Sequence, residues 1–402
     1  MKYIPASPLD IFQLKLGDTE QACRISVAVK LSGKIDEENL RQAADRAAAE
    51  QPVLTSRYRG DGHAGRFIAG TEPIPIPIPI TDQHPDRVMT TLFPYHGALF
   101  EITVCRGTTD TIVFSAAHLL TDARGLITLA GRIAELFRCP QQKKSTGYDR
   151  TLAPAFQHFS AEKLQELFAK EHQRFPEILA DKKYFVQETD PEAELTIVRE
   201  TLSAETLARM KTVAKSFDAT VHDLLIAAYG TALRDWLNEA AGVTLNHIPL
   251  CSTADLRRYF PEDRRDEPMN YTVAYWSPIC CGQRIPETLA ATAKMSQEIK
   301  EYAIGIGAAE PFTGRPLTTD DKFSGVPFLT NPGIIPSGQI DFGEDICVED
   351  LDFLGVVAGG CPFLAEVWTY NTVLHLSTCT GGSQKNTAEF VLRRTAEILR
   401  GL

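Results

Sequence analysis

The length of the chain, 402 residues, limits its fold more than any single motif does. A single hydrophobic core stops growing at roughly 250 to 300 residues, and longer chains divide into domains. Hydrophobic residues make up 44% of the chain, which gives each of two domains enough apolar side chains for a core of its own. The sequence therefore predicts two globular domains.

Strand-like and helix-like segments alternate along the first half of the chain. Residues 25–31 are rich in β-branched side chains, and residues 36–50 carry leucine and alanine at helical spacing. Two apolar runs, residues 98–106 and 111–117, are separated by a short turn as in a β-hairpin. The proline-alternating run at residues 73–80 lacks N–H donors at every second position, which favours extended chain or a sheet edge.

The second half of the chain repeats this mixture of strands and helices after a charged segment, residues 182–194, that is the best candidate linker. We therefore predict an α+β fold with one domain over residues 1–182 and a second over residues 183–402. Each domain is expected to be a mixed sheet flanked by helices.

Charge and hydropathy argue against several classes of function. The net charge of -11 does not suit a protein that neutralises nucleic-acid phosphates. The longest apolar runs are shorter than the roughly 20 residues of a membrane helix, and the first ten residues do not resemble a signal peptide. We therefore expect a cytoplasmic protein without a nucleic-acid partner or a membrane span, and a monomer as the simplest state.

The nine cysteines include no C-x-x-C pair. Their odd number and the adjacent Cys280 and Cys281 suit neither a disulfide framework nor a zinc site. We expect reduced core cysteines, no metal and no permanently bound cofactor.

One histidine stands out by its position. His118 ends the apolar run of residues 111–117, Asp122 follows four residues later, and Gly125 follows three residues after that. An imidazole with an ordinary pKa near 6.5 suits a general base that takes a proton from an attacking hydroxyl or amine. Asp122 is either a second base or an anchor that pairs with a buried cation, and we favour the anchor. A core histidine with a helix-capping aspartate would give the same spacing.

Residues 117–125, AHLLTDARG, resemble the H-x-x-x-D-G motif of the CoA-dependent acyltransferase superfamily. That superfamily includes nonribosomal peptide condensation domains, alcohol acetyltransferases, plant BAHD acyltransferases and mycobacterial polyketide-associated acyltransferases. Three other segments are similar in type and order: the opening SPLD at residues 7–10, DLRRYF at residues 255–260, and LTNPG at residues 329–333. The DFG at residues 341–343 is a partial match to the BAHD D-F-G-W-G segment.

The resemblance implies two chloramphenicol-acetyltransferase-like domains around a channel, with His118 at its middle as the general base. It implies acyl-CoA, or an acyl group on the phosphopantetheine arm of a carrier protein, as co-substrate and a small molecule as acyl acceptor. Asp122, Gly125 and Arg257 are expected to support the catalytic loop, with Arg257 as the ionic partner of Asp122 and Arg258 as the adjacent alternative.

Two further residues are candidates for the channel or the substrate site. Asn331 is expected to bond the acceptor or the thioester oxygen, although an asparagine before proline also suits a plain turn. Asp341 is carried over from the partial D-F-G match. The chain departs from the family pattern at Ala117, where condensation domains usually have a first histidine, and at Ala123, where a glycine usually follows the aspartate.

Three functions compete on these residues. The first is a free-standing enzyme that transfers an acyl group from CoA to a hydroxyl or amine, and the second is a condensation-type enzyme with a carrier-bound donor. The third is a catalytically silent scaffold that binds an acyl chain or a carrier protein, which the alanines at positions 117 and 123 suggest.

Overall fold

The structure is a computed structural model, and it describes ten segments of the chain: residues 2–15, 21–60, 64–70, 73–94, 97–140, 149–172, 178–186, 193–312, 326–356 and 360–402. The predicted linker at residues 182–194 lies partly outside the described residues.

The first half of the chain contains strands β1 to β9 and helices α1 to α6. The strands are β1 (Lys2–Pro5), β2 (Gln21–Ala22), β3 (Arg24–Leu31), β4 (Arg57–Gly60), β5 (Gly65–Ala69), β6 (Ile80–Thr81), β7 (Phe93–Pro94), β8 (Phe100–Cys105) and β9 (Thr111–Ala117). The helices are α1 (Pro8–Lys15), α2 (Glu37–Glu50), α3 (Pro85–Met89), α4 (Ala123–Arg138), α5 (Ala153–Phe156) and α6 (Ala161–His172).

The second half contains strands β10 to β18 and helices α7 to α10. The strands are β10 (Leu195–Leu202), β11 (His247–Ile248), β12 (Cys251–Asp255), β13 (Thr272–Trp276), β14 (Ile279–Cys280), β15 (Phe328–Ile335), β16 (Val348–Val356), β17 (Leu364–Tyr370) and β18 (Val373–Gly381). The helices are α7 (Ala204–Ser216), α8 (Val221–Ala241), α9 (Ile285–Glu301) and α10 (Lys385–Arg400).

The main sheet of the first lobe has the strand order β16-β3-β9-β8-β6. Strands β8 and β9 form the predicted hairpin, and β6, at the end of the proline-alternating run, lies at the sheet edge as predicted. The central strand β9 is covered on both faces: Phe114 belongs to the core beneath α2 and α4, and Val113 belongs to a smaller cluster on the opposite face. This double burial explains the uninterrupted apolar run that ends at His118.

The main sheet of the second lobe has the strand order β10-β18-β17-β15-β12-β13, in which β15 runs parallel to both β12 and β17. Helices α8 and α10 pack together beside this sheet, and their leucines and alanines join the core of the lobe. The predicted mixed sheets flanked by helices are thus confirmed in both lobes.

One strand crosses between the lobes. Strand β16 belongs to the second half of the chain but pairs antiparallel with β3, so it extends the sheet of the first lobe. The indole N–H of Trp368, on β17, donates to the Leu351 carbonyl of β16 at 3.0 Å and ties this strand to the second lobe. The predicted boundary between residues 182 and 183 assigns β16 to the second domain, although β16 pairs with β3 of the first. That boundary stays a prediction.

Candidate active site

His118 is the first residue after β9, where the chain leaves the buried sheet. Its backbone N–H donates to the Cys23 carbonyl at 2.7 Å, and its carbonyl accepts from the Asn270 side-chain amide at 2.9 Å. The peptide groups on both sides of the ring are therefore fixed, one by the first lobe and one by the second. The imidazole itself is half-buried.

The two ring nitrogens of His118 differ in their surroundings. Nδ1 is fully buried, and no described atom meets standard hydrogen-bond geometry with it, so the accessible part of the ring lies on the Nε2 side. Burial lowers the pKa of His118 below its ordinary value, while its own carbonyl, the Asp122 charge, the Thr121 carbonyl and the Asn270 side chain act in the opposite direction. The imidazole is therefore neutral at pH 7, which is the state that can accept a proton.

Asp122 is locked in place by five donors. Oδ1 accepts from Arg257 Nη2 at 2.8 Å and from the Gly125 N–H at 2.9 Å. Oδ2 accepts from Arg257 Nη1 at 2.8 Å, from the Tyr271 N–H at 2.9 Å and from the Thr272 hydroxyl at 3.0 Å. Burial alone raises the pKa of Asp122, but the Arg257 guanidinium and the backbone donors outweigh it and hold the pKa below its usual range. A carboxylate occupied in this way suits the anchor role and not that of a second base.

Arg257 reaches Asp122 from the short 3-10 helix Leu256–Tyr259, which follows β12. The guanidinium is buried, stacks on the Tyr271 ring at 4.5 Å, and also donates to the carbonyls of Arg265 and Met269. The neighbouring Arg258 is exposed, and its side chain donates to the backbone carbonyl of Asp255. The structure thus brings Arg257, and not Arg258, to the aspartate of the motif.

Gly125 lies on the first turn of α4, against the same ion pair. A Cβ atom at this position would lie 2.2 Å from the Thr121 hydroxyl and 3.1 Å from Arg257 Nη2, so a side chain does not fit without a shift of these groups. Asp122 is the N-cap of α4, and Ala123 is the first residue of that helix. The φ angle of Ala123 is not positive. The alanine in place of the family glycine therefore causes no backbone strain.

A second buried ion pair holds the same loop from the other side. Arg150 Nε and Nη2 donate to the two carboxylate oxygens of Asp10 at 2.7 and 2.8 Å, and Nη2 also donates to the Leu120 carbonyl at 2.7 Å. From sequence, Asp10 belongs to the opening motif of residues 7–10, and no pattern points to Arg150. These two residues restrain the backbone between His118 and Asp122.

Asn270 joins both parts of the site. Its amide nitrogen donates to Asp10 at 2.9 Å, to the His118 carbonyl at 2.9 Å and to the Leu119 carbonyl at 3.2 Å. These three acceptors fix the amide orientation, and its oxygen is buried without a hydrogen-bond partner of standard geometry among the described residues. In the sequence, Asn270 belongs only to the short N-x-T pattern of residues 270–272, which does not point to this site. It lies two residues before β13, and only the folded chain brings it to Asp10 and His118.

Asn331 and Asp341, the two further sequence candidates, lie in different places. Asn331 is half-buried on β15, and the next residue, Pro332, accepts a hydrogen bond from Arg124 on the first turn of α4 at 3.3 Å. Asp341 pairs with Arg138 at 2.9 Å, at the C-terminal end of α4. Because α4 has 16 residues and is therefore about 24 Å long, Asp341 does not join the residues around His118.

Two clefts are lined by described residues. Arg150 and Met269 line the first, among others, and Tyr275 lines the second, among others. His118 lines neither cleft, so neither is the channel that the resemblance implies at the histidine.

Neither a metal-binding cluster nor a helix suited to a membrane occurs in the ten described segments. No group of three or more histidine, cysteine, aspartate or glutamate side chains is arranged to hold a metal ion there. No helix in those segments combines the length and apolar character that are needed to cross a membrane.

Comparison with known proteins gives matches in structure but not in sequence. No protein-family model matches the sequence, and no curated protein matches it at a significant level. Polyketide synthase associated protein 5 from Mycobacterium tuberculosis has a TM-score of 0.70 and 14% identity, with 99% of this chain and 98% of that chain covered. The first condensation domain of the CDA synthetase has a TM-score of 0.69 and 14% identity, with 98% and 95% covered.

A third similar structure is an epimerization domain, from the third module of tyrocidine synthetase B. It has a TM-score of 0.66 and 14% identity, with 94% of this chain and 91% of that chain covered. Identities this low establish the fold, and the reaction has to be argued from the site. The chain therefore has a condensation-domain-like fold, with two chloramphenicol-acetyltransferase-like lobes.

Proposed function

We propose that the protein is an acyltransferase that moves an acyl group from acyl-CoA to a hydroxyl or amine of a small acceptor, with His118 as the general base. The observation that carries this proposal is the contrast within one loop. The His118 ring is neutral with its Nε2 side accessible, whereas both oxygens of Asp122 are occupied by donors.

The reaction needs one proton to move twice. His118 Nε2 takes the proton from the attacking hydroxyl or amine. At the same time, the oxygen or nitrogen of that group bonds to the carbonyl carbon of the thioester. The carbon–sulfur bond of the resulting tetrahedral intermediate then breaks, and the imidazolium of His118 gives the proton to the leaving thiolate. No covalent bond between enzyme and acyl group is required.

Asn270 supports the tautomer that this reaction needs. Its amide nitrogen is committed to three acceptors, which leaves its oxygen as an acceptor for a proton on His118 Nδ1. The backbone carbonyls of His118 and Thr121 also act as hydrogen-bond acceptors toward the ring, which favours a proton on it. With Nδ1 protonated, Nε2 carries the free electron pair of the base.

The nearby charge of Asp122 assists without contact. It favours the protonated form of His118, which is the form that exists between the two proton transfers. Its bonds to Arg257 keep Asp122 ionised throughout, so this contribution is constant during the reaction.

A carrier-protein donor is the second candidate. CoA and the carrier proteins present the acyl group on the same kind of phosphopantetheine arm, so the chemistry at His118 is unchanged. The likeness to condensation domains, which covers nearly the whole chain, favours this donor. The third candidate, a silent scaffold, predicts binding of the acyl thioester without turnover.

Thiol release from purified protein separates the three. Acyl-CoA and acyl-carrier donors are offered with a panel of alcohols and amines, and the His118→Ala variant is compared with wild type. We expect a rate loss of about 10²- to 10⁴-fold in the variant, which is the usual contribution of a positioned general base. The exposed His247→Ala variant is the matched control and should keep the wild-type rate.

Each result has a distinct meaning. Release from acyl-CoA alone supports the leading function, and release from the carrier alone supports the condensation-type function. Release from neither donor across the panel, with intact binding, points to the silent scaffold. Unchanged turnover in a folded His118→Ala protein refutes the role of His118.

A further inference from the structure

A second histidine, His222, lies half-buried at the start of α8 in the second lobe. Its Nε2 lies 3.1 Å from the Ser252 hydroxyl on β12, and its Nδ1 lies 3.4 Å from the Asn331 amide nitrogen on β15. The side chain thus bridges two strands of the sheet and touches Asn331, one of the two sequence candidates for the channel or substrate site.

Ser252, His222 and Asn331 form a hydrogen-bonded series, and the bonds at its two ends determine which nitrogen of His222 carries the proton. Asn331 Oδ1 accepts from the Gly333 N–H at 2.9 Å, so the amide presents its nitrogen, a donor, to His222. At the other end, the Ser252 hydroxyl donates to the Leu329 carbonyl at 2.9 Å, which leaves its oxygen as an acceptor. Both ends require the same neutral tautomer of His222, with the proton on Nε2 and the free electron pair on Nδ1.

Burial favours this neutral form, while the charges of Asp223 and Lys300 act in opposite directions. Burial lowers the pKa of His222 most, the charge of Asp223 beside it on α8 raises it, and Lys300 on α9 lowers it. The N-terminal end of α8 also disfavours a cation. On β13, the Tyr275 hydroxyl group lies near Ser252 and stays uncharged, because burial raises its pKa to about 12.

We propose that His222 is a positioning residue that holds the Asn331 amide in one orientation, so that the remaining Asn331 N–H can donate to an oxygen of the bound substrates. This inference rests on the proposed acyl transfer and adds a residue to it. One Asn331 N–H is used by His222 and the amide oxygen is used by Gly333, which leaves one N–H as the available donor.

Two contacts place Asn331 beside the catalytic loop. Pro332 accepts from Arg124, which is two residues after Asp122. The Thr330 hydroxyl bonds the Thr253 hydroxyl of β12 at 3.2 Å, and β12 leads directly to Arg257. The backbone on both sides of Asn331 is therefore tied to the elements that hold Asp122.

A proton on His222 Nδ1 would place two donors against each other. Asn331 would have to turn its amide over to accept from the ring, and its bond with Gly333 would then be lost. The orientation of Asn331 therefore depends on a neutral His222, and this dependence adds a second titrating group to the acidic side of the pH profile of activity.

Two substitutions at one position test the inference. His222→Asn keeps an acceptor that Asn331 can use but does not titrate, whereas His222→Leu removes the acceptor. We expect kcat/KM within about twofold of wild type for His222→Asn and about tenfold lower for His222→Leu, the size of one neutral hydrogen bond. The acidic fall of kcat/KM should be less steep in His222→Asn than in wild type.

Equal losses in the two variants, or an acidic fall of unchanged steepness in His222→Asn, would overturn the inference. Circular dichroism and thermal unfolding establish that both variants are folded before their kinetics are compared. Ser252→Ala removes the acceptor for Nε2–H and should shift the kinetics toward those of His222→Leu.

A spectroscopic measurement keeps this test independent of turnover. In protein with ¹⁵N-labelled histidine, the long-range nitrogen–proton spectrum at pH 7 should show a neutral His222 with its proton on Nε2, and the signal is assigned by its loss in His222→Asn. A proton on Nδ1, or a charged ring, overturns this inference alone. Failure of all donors to release thiol overturns the proposed function instead.

Discussion

The loop of residues 118 to 122 is held very differently at its two ends. At the Asp122 end, a charged side chain receives five hydrogen bonds and is buried against Arg257. At the His118 end, hydrogen bonds hold the backbone, and the ring keeps a buried Nδ1 without a partner of standard geometry among the described residues. One end is saturated with contacts, and the other keeps its acid–base group free.

This contrast shows how one short motif can combine rigidity with reactivity. A base must be held in a narrow range of positions, but its basic nitrogen must stay open to the proton of the acceptor. Here the position of His118 is restrained through its main chain and through Asp122. This arrangement buries ionic groups, which is unfavourable unless they are well paired.

The largest effect is expected when the anchor loses its cation. Arg257→Met leaves Asp122 buried without its ionic partner, and we expect the free energy of unfolding at pH 7 to fall by about 3–5 kcal/mol. Urea unfolding, followed by tryptophan fluorescence, measures this change. The matched control is Arg258→Met, because Arg258 is exposed and its loss should change stability by less than about 0.5 kcal/mol.

The loss in Arg257→Met should also depend on pH. In wild type the pKa of Asp122 is lowered, so its contribution is complete above an unfolded pKa of about 3.9 and is lost as pH falls through the folded pKa. Without Arg257, burial raises the pKa of Asp122, and the carboxyl group can protonate in the folded state. The difference between the two proteins should therefore shrink as pH falls toward 4, and a constant difference would contradict the ionic explanation.

The anchored end was also the more predictable one from sequence. Asp122 and Arg257 each belong to a short segment with a recognisable residue pattern, and the spacing of the first segment already indicated a loop between strand and helix. The fold was predictable for similar reasons, because β8, β9 and α2 have clear periodic patterns of apolar residues. Strand β16 crosses to the other lobe, which no local pattern encodes.

The remaining parts of the site depend on contacts between distant positions. Asp10 meets Arg150 across 140 residues of sequence and Asn270 across 260 residues. His222 has ordinary helix neighbours, and only the parallel pairing of β12 with β15 gives it two partners. Asp341 was carried over from a partial motif, but the structure pairs it with Arg138 because its loop packs at the far end of α4.

A smaller effect is expected from crowding the anchor without removing a charge. In Gly125→Ala, the new methyl group meets the Thr121 hydroxyl at 2.2 Å and Arg257 at 3.1 Å, so we expect a loss of about 1–3 kcal/mol in unfolding free energy. Adding Thr121→Ala removes the closest obstacle and should restore part of this loss, measured in the same urea titration with Thr121→Ala alone as reference. A double variant no more stable than Gly125→Ala would show that the methyl group disturbs the Arg257 contact instead.

The smallest expected effect is a shift in the pH profile at the reactive end. His118 acts as a base only when neutral, so kcat/KM should fall as pH drops through its pKa, which burial places below about 6.5. The charge of Asp122 raises that pKa, so Asp122→Asn should move the acidic fall of kcat/KM to lower pH. Both proteins carry His222→Asn, so that His118 titrates without a contribution from His222. They are compared at a temperature below the unfolding transition of each. A shift to higher pH would mean that Asp122 acts on His118 through loop position and not through its charge.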